Sequence, residues 1–460
     1  MSRLLALSIL VSTALTGCGG GDDGGSGSSG GGSTPTPATK YTFEFVKLSE
    51  GSQSGCTVFD GLEQNFDTKY YANNVQPQRL EIHDASGHKV DVSLKPLNGA
   101  ITFTADVVPE GGYVSIIDYS SGSRTYQVLS IQKELLGDYL IRLNGDSFGT
   151  CYNKNKGLDK KSGTAFISVL PGGDSSYYQF DTSLETKNKI SNAFTADINA
   201  YADEKVLAKG YNGNTTDLIV YGFTELDAEA TELSVIDDNL NWSATNFTST
   251  ELDSLAISVK QGNYIYPWYD AQSKVAFPHY SDAISEWFYT ATGKQRNWNF
   301  KHNAKFTYEF DVSLMVNIDS NVDASISKPG TSYVFSASGI SSSHDLVQRS
   351  YYYTQNISTP ITTLTHVMYG IPNNAGEVII PDLKLDRLLP TDTPTITVSM
   401  AATKSLDADF VESFMRRFQP IDPNTASFLT EDSISLLLTP ADQLKQRQNT
   451  KMHDYTIVER

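Results

Sequence analysis

The stretch Asn144-Gly145-Asp146-Ser147-Phe148-Gly149-Thr150-Cys151 holds the residue types of a nucleophile turn. Gly145-Asp146-Ser147-Phe148-Gly149 fits the G-x-S-x-G pattern, in which a tight strand-to-helix turn lifts a serine hydroxyl clear of a sheet. Such a serine performs acyl transfer, and it needs a helix behind it and an imidazole base that a third group orients. Thr150 to Gly157 read instead as strand and turn, and the seven histidines offer no Asp-x-x-His partner near the carboxyl end. The same pattern surrounds Ser29 inside a Gly/Ser tract, which shows how cheaply it arises. A serine hydrolase acting through Ser147 is therefore the lesser expectation, and no catalytic residue is assigned. The greater is a loop. Tyr139, Ile141 and Leu143 alternate into Asn144-Gly145, a tight-hairpin signal that sets Cys151 on a returning strand.

Metal chemistry has weaker support. His83-Asp84, His344-Asp345 and His453-Asp454 are adjacent pairs, and neighbours on a strand face opposite ways. Asp319, Asn321 and Asp323 have the spacing of a calcium loop, but Ala324 stands where the loop glycine belongs and Gly330 where a bidentate Glu closes the shell. No metal site and no cofactor are expected.

The densest aromatic region runs from Tyr264 to Phe300 and includes Trp268, Tyr269, Trp287 and Trp298. Flat rings beside Asn263, Asp270, Gln272 and His279 suit a sugar, whose apolar C–H face stacks on a ring while its hydroxyls take hydrogen bonds. Trp and Tyr are also core residues, and packing, aided by a short helical insert at Ser281 to Tyr289, is the first expectation here. Glycan or peptide binding through Trp268, Tyr269, Trp287 and Trp298 is the second.

The elements that must position these residues are strands. Tyr41, Phe43 and Phe45, then Ile101, Phe103, Ala105 and Val107, then Ile396, Val398 and Met400 alternate with polar residues, which puts one face on a core and the other in water. Asn98-Gly99, Gly111-Gly112, Gly172-Gly173, Asn212-Gly213 and Pro329-Gly330 punctuate them with turns. The expected fold is mainly β, a tandem array of antiparallel β-sandwich, Ig-like domains. Lys40 to Phe45 echoes Lys305 to Phe310, and both would open a domain. With the length, the echoes suggest domains at 40–163, 164–303 and 304–460. One amphipathic helix is expected over 405–419, where Phe410, Val411, Phe414, Met415 and Phe418 share a face, Ser405 caps, and Arg416 and Arg417 suit the carboxyl end.

Lys and Arg total 35 against 53 Asp and Glu, a net charge of −18 that repels nucleic acid and anionic lipid. The chain opens Met1-Ser2-Arg3, continues with an apolar run from Leu4 to Leu15, and reaches Leu15-Thr16-Gly17-Cys18. A basic start, a short apolar stretch and small residues make an export signal, too short to span a membrane. The ending resembles the lipobox of bacterial lipoproteins. That resemblance covers residues 1–18 and implies cleavage before Cys18, a thioether diacylglycerol on its sulfur and an acyl chain such as palmitate on its amino group. Gly19 in place of Asp implies, in that family, sorting to the outer membrane, with the protein on its cell-surface or periplasmic face. Several acyl chains at about 0.8 kcal/mol per buried methylene anchor firmly.

Residues 18–39 then form a Gly/Ser leash with a root-mean-square reach of about 25 Å. In an exported chain Cys56 and Cys151 are expected to pair, closing a loop that adds about 4 to 5 kcal/mol in the chain-entropy model. The sequence thus points to a non-enzymatic, outer-membrane-anchored protein acting in binding or adhesion toward a glycan or an envelope or surface protein. The alternative is a self-associating coat component of a surface organelle such as a flagellar sheath or pilus.

Overall fold

The alternating segments form strands throughout the computed structural model, which describes residues 39–60, 69–154, 159–168, 177–212, 218–236, 239–244, 251–271, 277–278, 286–296, 298–307, 309–385, 388–390, 395–416, 434–437, 439, 442, 444 and 451–460. The central element is a twelve-stranded sheet. In spatial order its strands are Tyr264–Ala271, Leu252–Gln261, Glu286–Gln295, Trp298–Phe306, Tyr455–Glu459, Thr395–Thr403, Asp345–Asn356, Thr362–Gly370, Thr125–Gln132, Tyr113–Ser120, Arg79–His83 and Lys89–Val90. Neighbours run antiparallel except Thr362–Gly370 against Thr125–Gln132, which pair parallel.

The middle strands of this sheet are buried on both faces, polar residues such as Gln127, Ser130, Gln348, Ser350 and Ser399 included, so the polar phase of their alternation does not face water. Along them successive side chains enter different cores. Ile117, Val128, Tyr352, Met368, Met400 and Val458 point into one. Ile116, Leu129, Tyr351, Val367, Ala401 and Ile457 point into the other.

The second of these cores is closed by a smaller sheet built on Lys40–Glu50, which pairs antiparallel with Lys69–Asn74 and Ala100–Thr104 and parallel with Tyr139–Arg142. Phe43, Phe45, Ile101, Phe103 and Ile141 supply its inner face. The expected helix completes this layer as Ala408–Arg416, burying Phe410, Val411, Phe414 and Met415. Its cap is Asp407 rather than Ser405: the Asp407 carboxylate accepts the Phe410 N–H at 2.8 Å. Residues 417–419 lie outside the described residues. The first core is closed in part by Asn317–Ser327, Tyr333–Ser341 and Glu377–Ile380, through Ile318, Phe335, Ala337 and Ile380.

A small sandwich occupies residues 160–235. Lys160–Ser168, Thr195–Tyr201 and Thr231–Glu232 form one sheet; Thr186–Ser191, Tyr177–Asp181, Val206–Tyr211, Leu218–Thr224 and Ser234–Val235 form the other. Ala165, Ile167, Phe180, Ile198 and Val220 fill the space between them.

The boundaries expected at 163 and 303 do not divide the hydrogen bonding. The twelve-stranded sheet takes strands from all three ranges, and residues 39–460 cluster as one compact unit. Period-2 patterning specifies which face of a strand is wet but not which strand lies beside it, so a non-local sheet leaves no local trace of its order. The echo at Lys305 opens no domain: Lys305 and Phe306 end one strand, and Glu309–Val312 begins another. Asp319 and Asp323 likewise lie within the strand Asn317–Ser327 rather than in a cation-binding loop.

Candidate functional site

The 144–151 stretch is clamped loop. Gly145 N–H donates to the Asp118 carboxylate at 2.6 Å, and Gly145 C=O accepts Lys47 Nζ at 2.7 Å. Asp146 accepts the Ser121 N–H at 2.9 Å, and Ser147 Oγ accepts the Gln76 N–H at 3.1 Å. Behind Ser147 the chain does not enter a helix. Phe148, Gly149 and Thr150 continue irregularly to Cys151, which bridges Asn73. The hairpin expected at Asn144-Gly145 is therefore corrected. Tyr139–Arg142 takes Lys40–Glu50 and Ser435–Leu437 as partners instead, and the chain after Gly145 crosses to the Lys69–Asn74 edge. Gly149 is required there, because a Cβ would collide with the Asn74 carbonyl. The Cys56–Cys151 disulfide forms as expected and fastens this crossing. Burial holds the Asp118 carboxyl above its ordinary pKa, only partly offset by the Gly145 N–H.

The aromatic region is core. Trp268 and Trp298 are each 1 % exposed and Trp287 8 %, so these rings have no free face for a sugar. The three share one cluster, with the Trp268 and Trp287 rings edge-to-face at 5.2 Å. The side chain of Tyr269 lies outside the described residues, as do those of Asp270, Gln272 and His279. No helical insert accounts for the burial over 286–289, since Glu286–Gln295 is a strand; residues 281–285 are not described. The rings are abundant because two sheets meet here. Tyr221 packs on Trp268 at 4.9 Å, Phe223 on Tyr266 at 5.4 Å and Tyr201 on Tyr264 at 6.1 Å, each joining the small sandwich to the long sheet.

A buried ion pair locks that junction. Between Ile257–Tyr269 and Ser258–Pro267 the register slips, leaving Trp268 as a bulge. The carbonyls of Pro267 and Trp268 turn toward Lys209, whose Nζ donates to them at 2.7 and 3.2 Å and to Asp181 at 2.8 Å. Asp181 is completed by Thr186 Oγ1 and Gln179 Nε2. Lys209 and Asp181 are 2 % and 0 % exposed, so the edge strand is held by a fully satisfied charge pair.

Sequence reasoning missed a polar chain that crosses the long sheet from strand to strand. Tyr352 OH lies 3.0 Å from His366 Nδ1, and His366 Nε2 lies 2.7 Å from Ser130 Oγ. Ser130 Oγ lies 2.7 Å from Ser115 Oγ, and Ser115 Oγ lies 3.2 Å from His83 Nδ1. His83 Nε2 faces Glu81 at 3.8 Å, and Glu81 also takes Lys89 Nζ at 2.8 Å. The hydrogen bonds can run in one direction from Tyr352 through His366, Ser130 and Ser115 to His83 Nδ1, where they end, since His83 Nε2 lies beyond hydrogen-bond distance of Glu81.

Ser115, His83 and Glu81 are the residue types of a hydrolytic triad, but they are 0, 0 and 2 % exposed and leave no room for an acyl group. Burial pushes the pKa of His83 down and that of His366 down to about 3, so both rings are neutral links in a core ladder. The only sequence signal was a histidine at an apolar-phase position of two strands. Register, which the sequence does not give, brings the rings together.

Among the described residues, an open concavity lies at one end of the same sheet. A cleft of about 450 Å³ is lined by Gln78, Arg79, Tyr126, Asn356, Thr362 and Lys384, over Leu385 and Leu388. Beside it the turn that joins Asp345–Asn356 to Thr362–Gly370 exposes Ile357 at 80 % and Ile361 at 56 %. The chain enters the fold at the other end. Thr39 C=O accepts the Ala105 N–H, and Asp138 accepts the Thr42 N–H, close to where Lys133 follows Gln132 and bonds Gly112. Strands of this length separate the two ends by about 25 to 30 Å.

Among the described residues no group of His, Cys, Asp and Glu has a metal-holding arrangement, and no helix is long and apolar enough to cross a membrane. No protein-family model matches the chain, and no curated protein matches it in sequence.

Proposed function

We propose that the protein is a non-enzymatic lipoprotein of the outer membrane that binds a glycan or an envelope or surface protein. Acyl chains on Cys18 hold it, the 18–39 leash carries it clear of the lipid, and the cleft end of the long sheet meets the ligand. The carrying observation is the polarity of the folded body. Its chain enters at Thr39 by the Tyr113 and Gln132 end, while the cleft and the exposed Ile357 and Ile361 sit at the opposite end. Exposed apolar side chains beside convergent polar groups are the usual mark of a binding surface.

The reading is tested with the full chain purified in detergent, applied to a glycan array and to immobilised envelope proteins. Retention that Asn356→Ala and Arg79→Gln abolish supports it. Retention unchanged by both substitutions, or none at all, contradicts it.

The coat-component reading has one observation in its favour. Phe194 and Ile190 of the small sandwich, beside Tyr178, are 49 and 41 % exposed, a patch that a second copy would cover. Concentration-dependent oligomers lost in Phe194→Ser would favour it.

A further inference from the structure

We infer that the cleft end of the long sheet docks a protein segment that carries a carboxylate beside aliphatic side chains. This rests on the binding reading above and narrows it to one class of partner.

Charge comes first. A single carboxylate, Glu81, is 2 % exposed and serves both Lys89 Nζ at 2.8 Å and Arg79 Nη1 at 3.4 Å. Among the described residues Arg79, which lines the cleft, shares its carboxylate partner with Lys89, while Lys384 is matched by Asp382. Arg79 keeps 37 % of its side chain in solvent, and a guanidinium has five N–H donors, more than Glu81 engages. On a chain of net charge −18 such a spot draws a carboxylate rather than a second cation. The bidentate geometry available to Arg79 then orients it.

The rim decides what accompanies that carboxylate. Ile357, Ile361 and Leu389 are 80, 56 and 44 % exposed. Branched aliphatic side chains interlock with other aliphatic side chains, and they lack the flat face on which a pyranose stacks. The ring that does line the cleft, Tyr126, is engaged with Tyr119 at 4.7 Å. Asn356 and Thr362, paired across the two strands and next in the chain to Ile357 and Ile361, line the cleft with Arg79, where they can take the N–H and C=O groups of an extended segment.

The test uses the labelled full chain in detergent on an array of heptapeptides, each synthesised with Asp or Glu and again with Asn or Gln, and with aliphatic or small flanking residues. Acidic–aliphatic peptides are expected to retain the protein at least tenfold better than their amide counterparts. Arg79→Gln is expected to abolish that preference, Arg79→Lys to keep part of it, and Ile357→Ser to weaken binding of both sets. Equal retention of acid and amide peptides overturns the inference, as does an unchanged preference in Arg79→Gln. Retention of oligogalacturonate with no peptide retained overturns it in favour of an acidic glycan. If no probe binds but a crosslinker at residue 357 still finds a ligand on cells, the partner class is wrong and the binding end stands. If that crosslinker also finds nothing, the binding reading fails with it.

Discussion

His302 shows how a buried polar residue is made harmless. Thr456 Oγ1 accepts the Met315 N–H and so donates to His302 Nδ1 at 2.8 Å; His302 Nε2 then donates to Tyr289 OH at 2.9 Å, and Tyr289 donates to the Asp311 carbonyl at 3.3 Å. Burial lowers the pKa of this ring to about 4. The folded value lies below the unfolded value of about 6.5, so the stability it carries is present above pH 6.5 and is lost as pH falls toward 4. A shift of that size is worth about 3 kcal/mol, and His366 acts in the same direction. Asp118 and Glu204 run oppositely: burial raises both, so their ionisation destabilises the fold as pH rises through the raised values. Urea unfolding at pH 7 and pH 4.5 is expected to show a loss of several kcal/mol at the lower pH, reduced by about 2 kcal/mol in His302→Asn.

Lys209→Met is expected to cost about 3 to 5 kcal/mol, because Asp181 is left charged and buried, and Lys209→Met with Asp181→Asn is expected to recover part of that. Denaturant midpoints check both. At this scale the sequence made the cysteine pair legible, since setting Cys18 aside in the lipobox-like segment leaves Cys56 and Cys151 only each other. It hid the ladder of His83 and His366, because those rings meet through cross-strand register.

Elements were legible where one face is wet. Tyr41, Phe43 and Phe45 alternate as read, and their strand, central to its sheet, turns Phe43 and Phe45 into the core. The Ala408–Arg416 helix announced itself by its Phe stripe, but its cap moved from Ser405 to Asp407, which sits directly before the first helical turn and offers a carboxylate to the Phe410 N–H. Asp407→Ala is expected to lower stability by about 1 kcal/mol, read as a shift in denaturant midpoint, whereas Ser405→Ala is expected to change it by a few tenths.

The aromatic region was legible as unusual, and packing, the first expectation for it, is what Trp268, Trp287 and Trp298 do; the junction of two sheets that they fill was not legible. A proline and a bulge at Pro267 and Trp268 interrupt regular pairing on an edge strand, and an edge of that kind is covered here by the small sandwich, so the rings belong to an internal junction. Helical residues at Asp442, Leu444, Lys451 and Met452 were also missed. No apolar stripe as marked as that of the earlier helix singles them out.

At the scale of the whole molecule, residues 79–132, 252–306, 345–403 and 455–459 supply strands to one sheet, and the order of those strands is non-local. Phase along the chain could therefore predict a mainly β protein while the inferred division into three failed. The Cys56–Cys151 bond, 95 residues apart, closes the layer that carries the chain's entry point. Its reduction is expected to lower unfolding free energy by about 4 to 5 kcal/mol, checked by denaturation with and without reductant.

The central claim is the proposal that the folded body, residues 39–460, meets its ligand at the cleft end of the long sheet, opposite the end where Thr39 enters. Its most direct test replaces Ile357, or Glu110 at the opposite end, with benzoylphenylalanine in the anchored full chain and irradiates intact cells. Glu110 is a fair control because its side chain is 85 % exposed. A discrete adduct from position 357 and none from position 110 is the expected result. Adducts from position 110 alone, or equal labelling from both ends, would contradict the account.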